Sequence, residues 1–135
     1  MTPADLAGWQ ADFDAGRYID AALRAEALTR ACQQDARAWH VLGLALGFSG
    51  DGRRALECLD TAIRLDRGDA SLWDALGVVR MQAGDHAEAA RAFRRSLQLA
   101  PGAAAVWANA SQSALAGGEL SDALRYAQRA VALAP

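Results

Sequence analysis

Three of the four tryptophans, Trp39, Trp73 and Trp107, stand 34 residues apart. Gly16, Gly50, Gly84 and Gly118 keep the same step, as do Ala21, Ala55, Ala89 and Ala123. Leu65, Leu99 and Leu133 follow it three times, and Ala62 and Ala130 follow it with Ser96 between them. A fixed step of this length constrains the fold more than any single motif. Each period is one supersecondary unit that cannot bury its apolar face alone, so the units must stack. Four periods account for essentially all 135 residues.

Each period reads as two helices. Alanine occurs 34 times and β-branched residues are few, which favours helix. Asp35 can cap a helix over 36–48, which Gly50 ends, and Asp51 can cap a second over 52–65. Asp69, Gly84 and Asp85 repeat this pattern one period on. Thr2-Pro3-Ala4-Asp5 has the form of a capping box with proline at the first helical position. Pro101 and Pro135 follow second helices, because proline cannot continue the hydrogen-bond ladder. The repeats therefore run over about 2–35, 36–69, 70–103 and 104–135 within a single domain, 1–135.

The residue types predict how the helices pack. The recurring Trp, early in each first helix, is expected to fill the wedge between neighbouring hairpins. Gly43 and Gly77 lie where the first helix must approach the second closely. Ala55, Ala89 and Ala123 supply the facing small surface.

Trp73, Leu76, Gly77, Ala89, Phe93 and Pro101 meet the Trp-x2-Leu-Gly…Ala-x3-Phe…Pro pattern. On these residues the chain resembles the tetratricopeptide repeats. The second period carries Trp39, Leu42, Gly43, Leu46 and Ala55, with Leu59 for the aromatic and Arg67 for the proline. The fourth keeps Trp107, Ala123 and Pro135 but has Ala110-Ser111 for Leu-Gly. The first is degenerate, with Trp9 and Phe13 out of register, and keeps Gly16, Tyr18 and Ala21. The resemblance implies an all-α, right-handed superhelical solenoid of four helix-turn-helix repeats.

It also implies a concave groove lined by first helices, with peptides or helices as ligands. Carried over by position, the second period offers Arg37, His40, Val41, Leu44, Gly47 and Phe48. The third offers Ser71, Asp74, Ala75, Val78, Met81 and Gln82. The fourth offers Ala105, Ala108, Asn109, Gln112, Leu115 and Ala116. Of these, Arg37, His40, Leu44, Phe48, Asp74, Val78, Met81, Asn109, Gln112 and Leu115 are the expected partner-binding residues. The strip Leu44, Phe48, Val78, Met81 and Leu115 is apolar, which suits an amphipathic segment.

Two variants of the family's site are tested by position. The carboxylate clamp of chaperone-binding members needs Lys, Asn and Arg; there is no Lys here, and Gln10, Val41, Ser71 and Ala75 stand at matching positions. The asparagine ladder of members attached to protein glycosyltransferases is reduced to Asn109, with Val41 and Ala75 at its other rungs. Family members usually end on an extra solvating helix. Here the sequence stops at Leu133-Ala134-Pro135, so an apolar patch on the last helix, from Leu124, Tyr126, Ala127, Val131 and Leu133, is expected, with weak self-association there or through the groove.

Other functions find little support. A net charge of −2 speaks against general binding to nucleic acid or acidic membranes. No apolar run reaches the length of a membrane span, and the N-terminus lacks the pattern of a secretory signal. Cys32 and Cys58 fit two small hydrophobes in a reducing, cytoplasmic setting better than a disulfide. His40 and Asp74 occupy equivalent positions, but no nucleophile accompanies them, and neither His40 nor His86 has the spacing of a zinc site. His86 is expected to be solvated. Gly117-Gly118 is a turn, since no Gly-Lys-Ser/Thr follows. Arg91, Arg94, Arg95, Arg125 and Arg129 form a basic patch of the kind that is usually a solvated face. The reading is a bacterial, non-catalytic protein–protein interaction module without metal or cofactor. The alternatives are the substrate-recruitment domain of a larger enzyme, such as a flagellin-type glycosyltransferase or a sulfotransferase, and a structural assembly adaptor.

Overall fold

The computed structural model describes residues 1–134; the expected helix-ending role of Pro135 lies outside them. Eight helices follow one another: α1 (Pro3–Asp14), α2 (Tyr18–Ala31), α3 (Ala36–Phe48), α4 (Gly52–Leu65), α5 (Ala70–Gln82), α6 (His86–Leu99), α7 (Ala104–Ala116) and α8 (Leu120–Leu133). The four glycines spaced by 34 are the residues with positive φ, from 77° at Gly16 to 100° at Gly50. That backbone region penalises any side chain, so the sharp turn between the two helices of each hairpin holds glycine in place.

The capping signals act as the residue types predict. Thr2 and Asp5 form a reciprocal capping box. Asp35, Asp51, Asp69 and Asp85 accept from the backbone N–H groups of Arg37, Arg54, Ser71 and Glu88. The helices α2, α7 and α8 begin without a side-chain cap.

The chain forms two compact units, divided between Arg67 and Gly68. In the first, α1 packs on α2, α2 on α3 and α3 on α4. Its core holds Trp9, Ala21, Ala25, Leu42, Leu46, Ala55 and Leu59. Trp9 stacks on Phe13 at 4.8 Å between ring centroids, and Phe13 meets Tyr18 and Phe48 edge-on. Asp12 is buried at the α1–α2 turn, where it accepts hydrogen bonds from Arg17 and Arg24. Those bonds, that from Arg24 foremost, hold its carboxyl below the usual carboxylate range.

In the second unit α5 packs on α6, α6 on α7 and α7 on α8. Ala89, Phe93, Leu97, Val106 and Ala110 form its core. Ser96 is fully buried and donates to the carbonyl of Ala70 at 2.8 Å.

The close approach expected at Gly43 and Gly77 is present. A Cβ on Gly43 would lie 2.7 Å from Leu59 Cγ, and one on Gly77 would overlap the Phe93 ring. The first hairpin solves the same problem in reverse. Trp9 occupies the position of Gly43 and Gly77, and Ala25, fully buried, occupies that of Leu59 and Phe93. In the fourth hairpin Ser111 stands there, donating to the Ala123 carbonyl at 2.7 Å, with Ala127 at the position of Phe93. The first helix is therefore in register, with large and small exchanged.

The recurring tryptophans depart from expectation. Trp39, Trp73 and Trp107 are only half-buried, whereas Trp9 is 4 % exposed. The indole N–H of Trp39 donates to the Gln33 carbonyl and that of Trp107 to Pro101, each at 2.9 Å and six residues upstream. These side chains tie the loop before each helix as much as they fill space.

Candidate functional site

In the first unit the expected binding residues all lie on α3. Arg37 is exposed, but its guanidinium turns back on the capping residue Asp35, with Nη2 2.8 Å from Oδ2. That hydrogen bond lowers the Asp35 carboxyl pKa. His40, Leu44 and Phe48 are half-buried, and Phe48 belongs to the aromatic cluster with Phe13 and Tyr18. Val41, expected on the same face, is buried.

In the second unit the residues lie on α5 and α7. Val78 and Met81 are partly buried and pack against the Phe93 core. Ala75 is buried. A first helix flanked by two neighbours turns most of its circumference inward, which narrows the face left to solvent. Gln112 is exposed and Leu115 is 59 % exposed. Asp74 and Asn109 are both half-buried, and Asn109 Nδ2 donates to Asp74 Oδ1 at 3.1 Å. Burial raises the Asp74 carboxyl pKa, and the bond from Asn109 opposes that rise. The bond fixes the carboxamide and leaves its oxygen and second N–H for another partner.

Elsewhere the arginines of the proposed basic patch are all exposed; Arg91 pairs with Glu88 and Arg125 with Asp122, each at 2.8 Å. Of the patch expected on α8, Leu124 and Val131 are exposed, while Tyr126, Ala127 and Leu133 are half-buried and Tyr126 packs against the Phe93 core; Leu120, not expected there, is exposed as well. Ile19 and Leu23 of α2 are exposed as well, a patch that periodicity did not signal. Both cysteines are free, and burial pushes the Cys58 thiol up to about 11. Among the described residues no group of three or more His, Cys, Asp or Glu side chains could hold a metal ion, and no helix is long and apolar enough to cross a membrane.

His86 corrects an expectation. It is half-buried rather than solvated, and its Nδ1 is buried without a hydrogen-bond partner. Its position just after a cap suggested exposure, but its Cβ side faces Gly117 of the next hairpin's turn, where an added Cβ would be 3.3 Å away.

The sequence matches the tetratricopeptide repeat profile over residues 40–104 and again over 75–135. The chain belongs to the tetratricopeptide repeat family. No curated protein matches it in sequence. Solved structures share its fold. MamA superposes with a TM-score of 0.78 at 22 % identity, over 93 % of this chain and 73 % of MamA. YrrB, a TPR protein with an unusual peptide-binding site, gives 0.77 at 22 % identity, over 98 % of this chain and 68 % of YrrB. The second TPR of Spaghetti (RPAP3), bound to the HSP90 peptide SRMEEVD, gives 0.69 at 20 % identity, over 74 % of this chain and 93 % of that one. The fold is thus the all-α tetratricopeptide solenoid, as the 34-residue step implies.

Proposed function

We propose that the chain is a non-catalytic module that binds a segment of a partner protein on the solvent-facing sides of its first helices. The observation that carries this is the Asp74–Asn109 bond, which orients a carboxamide one turn before the exposed Gln112, itself followed three residues on by the exposed Leu115. An oriented carboxamide can address a peptide N–H and C=O together, and an exposed leucine one turn and a half further on supplies apolar contact. Of the proteins that share the fold, YrrB has a peptide-binding site and the second TPR of Spaghetti is bound to an HSP90 peptide. In the second unit Val78 and Met81 on α5 extend the surface, and in the first unit Arg37, His40, Leu44 and Phe48 on α3 offer a binding face of their own, although Phe48 and Met81 also serve packing.

The test selects peptides from a random display library on the immobilised chain and measures their affinity for variants. Asn109→Ala and Leu115→Ala should each weaken binding by about tenfold or more if these are central contacts. Arg94→Ala with Arg95→Ala should leave it unchanged. The reverse pattern would place the site on the basic face and overturn the reading. Phe48→Ala is a poor probe, because it also opens the aromatic cluster.

A further inference from the structure

A cavity of about 280 Å³ lies where α6, α7 and α8 meet, lined by His86, Ser113, Glu119, Asp122 and Tyr126 and otherwise by alanine and glycine. Two of its lining residues, His86 and Ser113, each carry a buried side-chain atom, Nδ1 and Oγ, that has no hydrogen-bond partner among the described residues. Ser113 is only 2 % exposed. A buried polar atom left unpaired is destabilising, so two of them on the residues of one cavity call for an explanation beyond packing. Neither is demanded by the helix, since alanine would serve α7 better at 113.

The chemistry of the wall selects a ligand. Serine Oγ and the unprotonated nitrogen of an Nε2–H imidazole both accept hydrogen bonds. Glu119 and Asp122 bring negative charge. Glu119 forms no ion pair among the described residues, and Asp122 holds Arg125 through one oxygen at 2.8 Å. The remaining wall is mostly alanine and glycine, which gives methylene groups an apolar sleeve. A carboxylate or phosphate would be repelled. We propose that this cavity binds a primary alkylammonium group, with Ser113 Oγ and His86 Nδ1 accepting from the ammonium and Glu119 and Asp122 supplying countercharge.

Size agrees. At roughly 30 Å³ per heavy atom, a four-carbon chain ending in nitrogen needs about 150 Å³. The group can come from a lysine side chain of a partner or from a free alkylamine. The chain itself contains no lysine, so no side chain of a second copy provides it. The site is separate from the Asp74–Asn109 surface, and either can fail without the other.

The experiment is a titration of the uniformly ¹⁵N-labelled chain with n-butylammonium chloride, n-butanol and sodium butyrate, followed by amide shifts. Butylammonium should give saturable shifts at Ser113, Ala114, Gly117 and Glu119. Butanol should bind about tenfold more weakly and butyrate not at all. Ser113→Ala and Glu119→Gln should each weaken butylammonium binding several-fold, within the range of one charge-assisted hydrogen bond. Glu119 is exposed, so its variant keeps the fold. A capped tripeptide with central lysine that binds at least as well as butylammonium assigns the site to a partner's side chain; binding of butylammonium alone assigns it to a free amine. No saturable shift, equal binding of butanol, or unchanged binding in both variants would overturn the proposal.

Discussion

Replacing Gly77 by alanine probes the hairpin interface most directly. The new Cβ would sit 2.6 Å from Phe93 Cδ1 and 2.8 Å from Cζ, with Cε1 nearer still. Carbon atoms in contact prefer about 3.5–4.0 Å. Phe93 is 1 % exposed and cannot swing outward, so α5 and α6 must part by about an ångström or the ring must leave its rotamer. Overpacking of this kind costs about 1–3 kcal/mol. Alanine also brings about 1 kcal/mol of helix propensity over glycine. The net is a loss of up to about 2 kcal/mol. Gly52→Ala is the control. It lies in the first turn of α4 with open space around it, so only the propensity gain applies and stability should rise. Urea unfolding followed by helical circular dichroism measures both. A Gly77→Ala variant as stable as Gly52→Ala would refute the account, because it would mean the two helices do not need glycine to meet.

Three further outcomes follow from the same structure. Trp9→Ala should cost about 3–5 kcal/mol, as full truncation of a buried aromatic does, and Trp39→Ala less, since Trp39 is half-buried; equal losses in urea would contradict this ordering. Asp12 has its carboxyl pKa lowered in the folded state, so the stability it contributes is present above the unfolded value of about 3.9 and is lost as pH falls through the folded one. Asp12→Asn should therefore be less stable than the wild type at neutral pH and lose less on acidification; parallel acid curves would argue against it. In thiol labelling of the native chain Cys32, half-buried, should react first, while Cys58, its thiol raised to about 11, should react at the rate of unfolding; early modification of Cys58 would show local opening of α4.

The periodicity made the order of the helices legible, and for α3 and α4 their ends as well. Asp35, Asp51 and the spaced glycines fix α3 and α4 at the bounds read from the sequence, because caps and positive-φ turns are local demands that a residue type reveals. What Trp9 does was not legible in the same way. It looked misplaced when compared with Trp39, and its role emerges only when Ala25 is set against Leu59 and Phe93, a comparison between two helices rather than along one. The face of α5 was blurred for a related reason. Val78 and Met81 are apolar whether they meet a ligand or the Phe93 core, and hydrophobicity alone cannot tell those apart. Asp74–Asn109 joins two hairpins at a separation of 35 residues, one more than the period. His86 and Ser113 carried no spacing signal, since a cavity where three helices meet leaves no trace along any one of them.

The exchange of large and small between Trp9 and Ala25 bears on how a chain of near-copies finds its own partners. Helices that repeat invite slippage, in which α1 docks where α3 belongs or a hairpin trades helices with another molecule. Here such an error is self-rejecting. Setting α1 against α4 would press Trp9 into Leu59, two bulky groups in a slot built for one. Pairing α3 with α2 as the two helices of one hairpin, in place of the contact they already make as neighbours, would set Gly43 against Ala25 and leave a void. The first hairpin thus carries a lock whose key is shaped unlike its neighbour's, and the order of assembly in the first unit is written into the volumes of four side chains.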